Sequence, residues 1–168
     1  MRAAVTVAVI CLALISMGQA EDSQGQAPEG NAVCTFEDGQ QVSVRYVEVP
    51  YGKSDAPRGK IWEPGKRPMY LFSQTGLAFG SQTVAPGAYS LYAIPGEHSW
   101  TLVLNSGVEQ GKPYNASKDV AKLTAETGEL SNSSNSLKLY FGRIAPTKCT
   151  LRVDYGKQRA FADFEQKK

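Results

Sequence analysis

Short runs in which apolar and polar residues alternate recur along the chain, from about residue 32 to residue 164. Residues 41–49 alternate in this way directly after the Asp-Gly turn at 38–39. An alternation of period two that follows a tight turn is typical of a β-hairpin. The same alternation returns over 137–141 and 149–155. The pattern therefore predicts a chain built mainly from strands.

Two further stretches extend this prediction, and a third is ambiguous. Residues 88–94 are almost wholly apolar, which indicates a strand that is buried on both faces. A Pro-Gly turn separates them from a second strand over 100–104. Residues 119–129 fit either a short helix or a strand, and we favour the strand because its neighbours are β. Residues 131–136 are expected to form a Ser/Asn loop.

Many short strands between Gly-, Pro- and Asn-containing turns, with no convincing helix, are typical of a sandwich or a barrel. We predict an all-β fold, with a single antiparallel β-sandwich domain over residues 32–168.

The first twenty residues have the layout of a cleaved signal peptide. Arg2 precedes an apolar run from Ala3 to Met17, and Gly18-Gln19-Ala20 supplies a cleavage site with small residues. An uncleaved anchor is the alternative, but the run is short for a membrane span. Residues 21–31 are polar and Gly-containing, and we expect a flexible linker there. The protein is therefore expected to be exported, to a periplasmic or extracellular location.

Charge and cysteine content narrow the choice of partners. The formal net charge of the chain is +2, and without Arg2 it is close to neutral, so a nucleic acid is a poor partner. No apolar stretch after the signal peptide is long enough to span a membrane. Two cysteines remain after cleavage, Cys34 and Cys149, and in an oxidising compartment they predict a disulfide. A pair of metal ligands is the alternative, which the single histidine makes less favourable.

Residues that could support catalysis are few. His98, the only histidine, lies in a predicted turn and could serve a hydrolase, but no Gly-x-Ser-x-Gly motif is present. The carboxylates are scattered, and we expect most of them at the surface; they include Glu48, Glu63, Glu97, Asp119 and Asp154. We predict no catalytic residue, no metal ligand and no cofactor, and an enzyme is not the favoured class.

Aromatic residues are the better candidates for a functional site. Residues 50–68 form a long stretch that is rich in Pro, Gly and basic residues, and long irregular loops in compact domains are often functional. Tyr and Trp offer flat amphipathic faces to a ligand. The candidate binding residues are Tyr51, Trp62, Arg67 and Tyr92, and core packing is the alternative role for the aromatic ones.

Four stretches resemble the bacterial family known as domain of unknown function 2911, and the likeness runs from about Cys34 to Phe164. They are Trp62-Glu63-Pro64-Gly65, the segment from Ala85 to Gly96, the segment from Trp100 to Asn105, and the segment from Cys149 to Tyr155. The resemblance implies an exported β-sandwich protein and supplies no catalytic residue. Many members continue after the tryptophan with Arg-x-Gly-Ala-Asn-Glu, a stretch that this chain replaces with Glu63-Pro64-Gly65-Lys66-Arg67-Pro68.

Three functions are compatible with these features. The first is a non-catalytic exported binding module for a small or glycan-like ligand. The second is a structural or interaction protein of the cell envelope, which an uncovered strand edge would favour. The third is a hydrolase that uses His98, which would need a hydroxyl or carboxylate within hydrogen-bond reach.

Overall fold

The computed structural model of the protein describes residues 28–52 and 56–167. The predicted signal peptide and residues 21–27 of the predicted linker lie outside the described residues. Residues 29–31, which the sequence placed in the linker, form the start of the first strand because they pair with Val47, Tyr46 and Arg45.

Almost all of the regular structure is antiparallel β, as predicted. Two three-residue 3-10 turns, at Pro64–Lys66 and Ala116–Lys118, interrupt the connections. The strands are β1 Glu29–Thr35, β2 Gln41–Val47, β3 Met69–Ser73, β4 Gly76–Phe79, β5 Gln82–Val84, β6 Gly87–Ile94, β7 Ser99–Asn105, β8 Asp119–Ala145 and β9 Lys148–Lys167.

The strands form one hydrogen-bonded sheet in the order β1-β2-β3-β6-β7-β8-β9-β4-β5. The all-β antiparallel prediction is confirmed, whereas a sandwich of two separate sheets is not. The reason lies in β8 and β9, which are 27 and 20 residues long. Because β8 pairs first with β7 and then with β9, the hydrogen-bonded ladder passes from one half of the fold to the other without a break.

The β8–β9 ladder is irregular in the middle. Between the Glu129–Gln158 pair and the Lys138–Asp154 pair, β8 advances nine positions while β9 advances four. Extra residues on one strand bend it and increase its twist. The expected loop at 131–136 is therefore a bulged part of β8, and 119–129 is strand, as favoured.

The sheet curls until distant strands meet. Cys34 in β1 and Cys149 in β9 form the predicted disulfide, with their Cα atoms 6.6 Å apart. The backbone N–H of Leu137 in β8 donates to the carbonyl of Val49, which follows β2, at 2.8 Å. On the other side, the side-chain amide of Gln82 in β5 donates to the Lys122 carbonyl at 2.8 Å and accepts from the Lys122 N–H at 2.9 Å. These contacts occupy backbone groups of β8 that the ladders leave free.

The concave face of the sheet contains the core. Trp100 is fully buried, and it is accompanied there by Phe36, Met69, Leu91 and Val153. Strand β6 is buried on both faces, as predicted, because the β7–β8 connection covers its outer side. The hydroxyl of Ser90 donates to the Gly107 carbonyl of that connection at 2.7 Å.

Candidate functional site

The outer face of strands β2, β3 and β6 carries two rows of directly paired residues. In one row Arg45 pairs with Tyr70, which pairs with Ser90. In the next row Phe72 of β3 pairs with Ala88 of β6. Since alternate residues of a strand project to the same face, Tyr70 and Phe72 lie side by side on this surface.

A cleft of about 360 Å³ lies over these two rows. Its floor is formed by Tyr70, Phe72 and Ala88. Arg67 and Pro68, together with Glu29 of β1, line it at one end. Val108 and Gln110, from the connection between β7 and β8, line it as well. We call this depression the β3 cleft.

The two arginines of the β3 cleft differ in whether a carboxylate pairs with them. Nη2 of Arg67 lies 2.6 Å from Oε1 of Glu29, so these two charges pair with each other. The guanidinium of Arg45 lies 5.9 Å from the centroid of the Phe72 ring, a cation–π distance. Among residues 28–52 and 56–167, Arg45 has no carboxylate within ion-pair distance. The lining therefore has a net positive charge at Arg45.

Two features of the floor distinguish it from an ordinary outer sheet face. Phe72 is 40% exposed, which leaves much of an aromatic ring in contact with water. The hydroxyl oxygen of Tyr70 is buried and has no hydrogen-bond partner in the described part of the chain. Buried polar atoms without partners are uncommon in folded proteins.

A hydrogen-bond network anchors the connection that carries Val108 and Gln110. The side-chain amide of Asn105 donates to the Asn115 carbonyl and to Oδ1 of Asp119, both at 2.8 Å. The hydroxyl of Tyr114 donates to Oδ2 of Asp119 at 2.7 Å. Lys122 completes an ion pair with Asp119 at 3.1 Å. The carboxylate of Asp119 therefore joins the end of β7, the connection that follows it and the start of β8.

The same contacts shift two pKa values in opposite directions. Desolvation, together with the hydrogen bond to Asp119, raises the pKa of Tyr114 to about 12. Burial alone would raise the pKa of Asp119, but hydrogen bonds from Tyr114, Asn105 and Lys122 outweigh it and lower that pKa. Both shifts favour the neutral phenol and the ionised carboxylate, the pair that the hydrogen bond requires.

The structure places Trp62 in the core, with 3% of its surface exposed. Its ring lies 6.0 Å from that of Trp100 and 4.9 Å from that of Tyr155. Its backbone N–H donates to the Ala93 carbonyl, so the Pro/Gly-rich stretch adds a one-residue bridge beside β6. Trp62 therefore offers no ring face to a ligand, and the alternative of core packing applies.

The other three candidates lie in different places. Tyr51 is 56% exposed and packs on Tyr155, beside a depression separate from the β3 cleft. Tyr92 is only 2% exposed and lies against Tyr114, at 5.0 Å between the ring centroids. Burial raises the pKa of Tyr92. Arg67 is thus the one predicted binding residue that lines the β3 cleft.

Sequence reasoning missed Arg45, Tyr70 and Phe72. A usable pattern was present, since Arg45 stands between the buried Val44 and Tyr46, and Phe72 occupies an outward position next to Leu71. Of the carboxylates, most of which are expected at the surface, Asp154 is an exception. That side chain is buried and accepts two hydrogen bonds from Arg159, at 2.7 and 2.8 Å.

The surroundings of His98 give little support to the hydrolase alternative. His98 is exposed in the turn between β6 and β7, and its ring makes no hydrogen bond to the residues that the structure describes. Within those residues no group of three His, Cys, Asp or Glu side chains could hold a metal ion. In the same part of the chain, no helix is long and apolar enough to cross a membrane.

Comparison with known proteins identifies the family and nothing finer. No curated protein and no solved structure matches the chain. A family model described as "Protein of unknown function (DUF2911)" matches residues 31–163, which takes in every strand except the ends of β1 and β9. The chain therefore belongs to the DUF2911 family, as its sequence motifs had indicated.

Proposed function

We propose that the protein is a non-catalytic binding module for a small or glycan-like ligand, and that the β3 cleft is its binding site. The observation that carries the proposal is the exposed aromatic surface of Phe72 beside Tyr70, on a rigid part of the sheet and flanked by Arg45 and Arg67. Flat aromatic faces next to polar groups suit ligands that are apolar on one face and hydroxylated at the edge.

The framework around the β3 cleft supports binding without large rearrangement. Tyr70 and Phe72 lie on β3, which pairs with β2 on one side and with β6 on the other. The connection that carries Val108 and Gln110 is fastened through Asn105 and Asp119. Sites built on strands hold their side chains more accurately than sites on loops, and this lowers the entropic cost of binding.

The Cys34–Cys149 disulfide supports the proposed location. Disulfides persist in secreted and periplasmic proteins and are rare in the reducing cytosol. We therefore propose that the domain acts after export, in the periplasm or outside the cell.

The alternative of an envelope interaction protein would draw on open strand edges. Contacts at Val49, Tyr51 and Gln82 occupy backbone groups of β8 that its ladders leave free, so these groups cannot accept a strand from another protein. The strands at the two ends of the sheet are β1 and β5, and a strand added to one of them is what this alternative would require.

A thermal-shift screen of the oxidised protein tests the proposal, with glycans, peptidoglycan fragments and small metabolites as ligands. A ligand at a hundred times its Kd should stabilise the protein by about 2.7 kcal/mol, a shift of a few degrees in Tm. Phe72→Ala should reduce that ligand-induced shift, because it removes the exposed part of the aromatic floor.

Tyr140→Ala is the matched control, since Tyr140 is 41% exposed on β8, outside the β3 cleft. Its ligand-induced shift should equal that of the wild type. Absence of a shift with every ligand, or a shift that Phe72→Ala leaves intact, would count against the β3 cleft as a binding site.

A further inference from the structure

We propose that the ligand of the β3 cleft is an acidic glycan, a uronate-type sugar whose carboxylate is bound by Arg45 while its ring stacks on Phe72. This inference rests on the proposed function and assigns its ligand class. It comes from the distribution of charge in the cleft, and in particular from which of the two arginines is paired with a carboxylate.

Arg45 carries a positive charge that is available to a ligand. Its guanidinium has no carboxylate partner among the described residues and lies over the ring of Phe72, at 5.9 Å from the centroid. A cation–π contact at this distance uses none of the five N–H donors of the guanidinium, so they stay available to a ligand. Such a group is suited to a planar carboxylate, which it can bind through two parallel hydrogen bonds.

Arg67, the other arginine of the β3 cleft, is already paired. Its charge is engaged by Glu29 at 2.6 Å, and 60% of the Glu29 side chain is exposed. A negative group placed at this end would meet the Glu29 carboxylate. The cleft therefore has a polarity, with an anion favoured near Arg45 and a neutral part of the ligand favoured near the Arg67–Glu29 pair.

The surface beside Arg45, on the side away from Glu29, is formed by the row of Phe72 and Ala88. Ala88, Val108 and the exposed Phe72 ring offer an apolar surface, and the Gln110 side chain adds an amide that can donate and accept. A sugar ring matches this surface, since it has an apolar face and a rim of hydroxyl groups. A ring that also carries one carboxylate fits both the surface and the single unpaired guanidinium.

Calorimetric titration of the oxidised protein with a galacturonate trisaccharide tests the assignment, and the methyl ester of the same trisaccharide is the neutral reference. The acid should bind about tenfold more tightly than the ester, or better, at low ionic strength. Added salt should reduce this preference, because exposed charges are screened at short distances.

Arg45→Gln should bring the affinities for acid and ester together. Arg143→Gln is the matched control, since Arg143 is an exposed arginine on β8 that does not line the β3 cleft, and it should keep the preference for the acid. The Tm of each variant without ligand shows that it is folded.

Each outcome separates this inference from the proposal on which it rests. Equal binding of acid and ester, with both reduced by Phe72→Ala, would overturn the acidic ligand and leave the binding module standing. Tighter binding of a sugar phosphate than of the galacturonate would overturn the assignment of a carboxylate. Failure of every glycan and metabolite to bind would remove the proposed function itself.

Discussion

Asp119 shows how a single buried carboxylate can fasten a long connection. Its two oxygens accept hydrogen bonds from Asn105 and Tyr114, and Lys122 pairs with it as well. Tyr114 in turn packs against Tyr92 at 5.0 Å, so the network also covers the outer side of β6. The sequence suggested Tyr92 as a binding residue, whereas the structure buries its ring among residues from the end of β7 and from the connection that follows.

At the residue scale, the raised pKa of Tyr114 predicts a change at alkaline pH. Folding favours the neutral phenol, so its stabilising contribution is present below about pH 10 and is lost as the pH rises from about 10 to 12. Tyrosinate absorbance should include a component that titrates near pH 12 and that Tyr114→Phe removes.

Asp119→Asn provides the matched test of the cause. Without the carboxylate the pKa of Tyr114 should fall toward its ordinary value of about 10, and that component should titrate earlier. A late component that persists unchanged in both variants would contradict the assignment to Tyr114.

At the scale of elements, one of the contacts that join distant strands is made by a single side chain. The amide of Gln82 forms two hydrogen bonds with the backbone of Lys122, at 2.8 and 2.9 Å, in the manner of a neighbouring strand. Strand β5 is three residues long and its ladder is with β4, so the Gln82 side chain adds a contact to β8 that the ladder does not provide. The side chain extends the sheet where the backbone stops.

Replacing Gln82 should therefore loosen β8 locally. Gln82→Ala should lower the free energy of unfolding by about 0.5–1.5 kcal/mol and speed hydrogen exchange at the Lys122 amide, because the donor loses its protein acceptor. Gln40→Ala, in the exposed β1–β2 turn, should change neither quantity. An unchanged exchange rate at Lys122 in Gln82→Ala would show that the amide contributes no protection.

The elements also show which patterns could be interpreted from sequence. Alternation located β2, residues 137–141 of β8 and residues 149–155 of β9, because one face of each of these stretches packs on the core. The prediction from composition failed at 131–136, where the Ser and Asn residues indicated a loop, because the ladder with β9 keeps this bulged stretch in the sheet. A local composition cannot report a partner strand that lies some twenty residues farther along the chain.

The outward positions of Arg45 and Phe72 could be inferred from the sequence, but the pairing that assembles the β3 cleft could not, for a similar reason. Arg45 and Tyr70 meet only through the register between β2 and β3, which are separated by the long Pro/Gly-rich stretch. The composition of that stretch suggested a functional site, but its tryptophan, Trp62, lies in the core and packs on Trp100 and Tyr155. An irregular segment is as able to fill a core as to line a surface, and its composition does not distinguish the two.

At the scale of the whole molecule, the family motifs meet in one place. Trp62, Trp100 and Tyr155 belong to three of the four stretches on which the resemblance rests, and their rings form one aromatic cluster in the core. The shared motifs thus describe how the fold is packed. Apart from Ala88, the β3 cleft uses residues outside these stretches, so membership of the DUF2911 family does not by itself specify the ligand.

The disulfide acts on the whole molecule as well, since 115 positions separate Cys34 from Cys149. In the chain-entropy model, closing a loop of this size stabilises the fold by about 4–5 kcal/mol. Urea unfolding with and without a reductant should show a loss of this order. The double variant Cys34→Ala/Cys149→Ala should be insensitive to the reductant, and equal midpoints for oxidised and reduced wild type would contradict the estimate.

The same covalent link has a consequence for survival among proteases. A single backbone cut anywhere between residues 34 and 149 leaves two pieces that stay joined through the sulfur atoms. This span includes both long connections, among them the one that carries Val108 and Gln110. A nicked molecule therefore keeps both walls of its cleft within one covalently linked molecule, a property that suits the exported location that we propose.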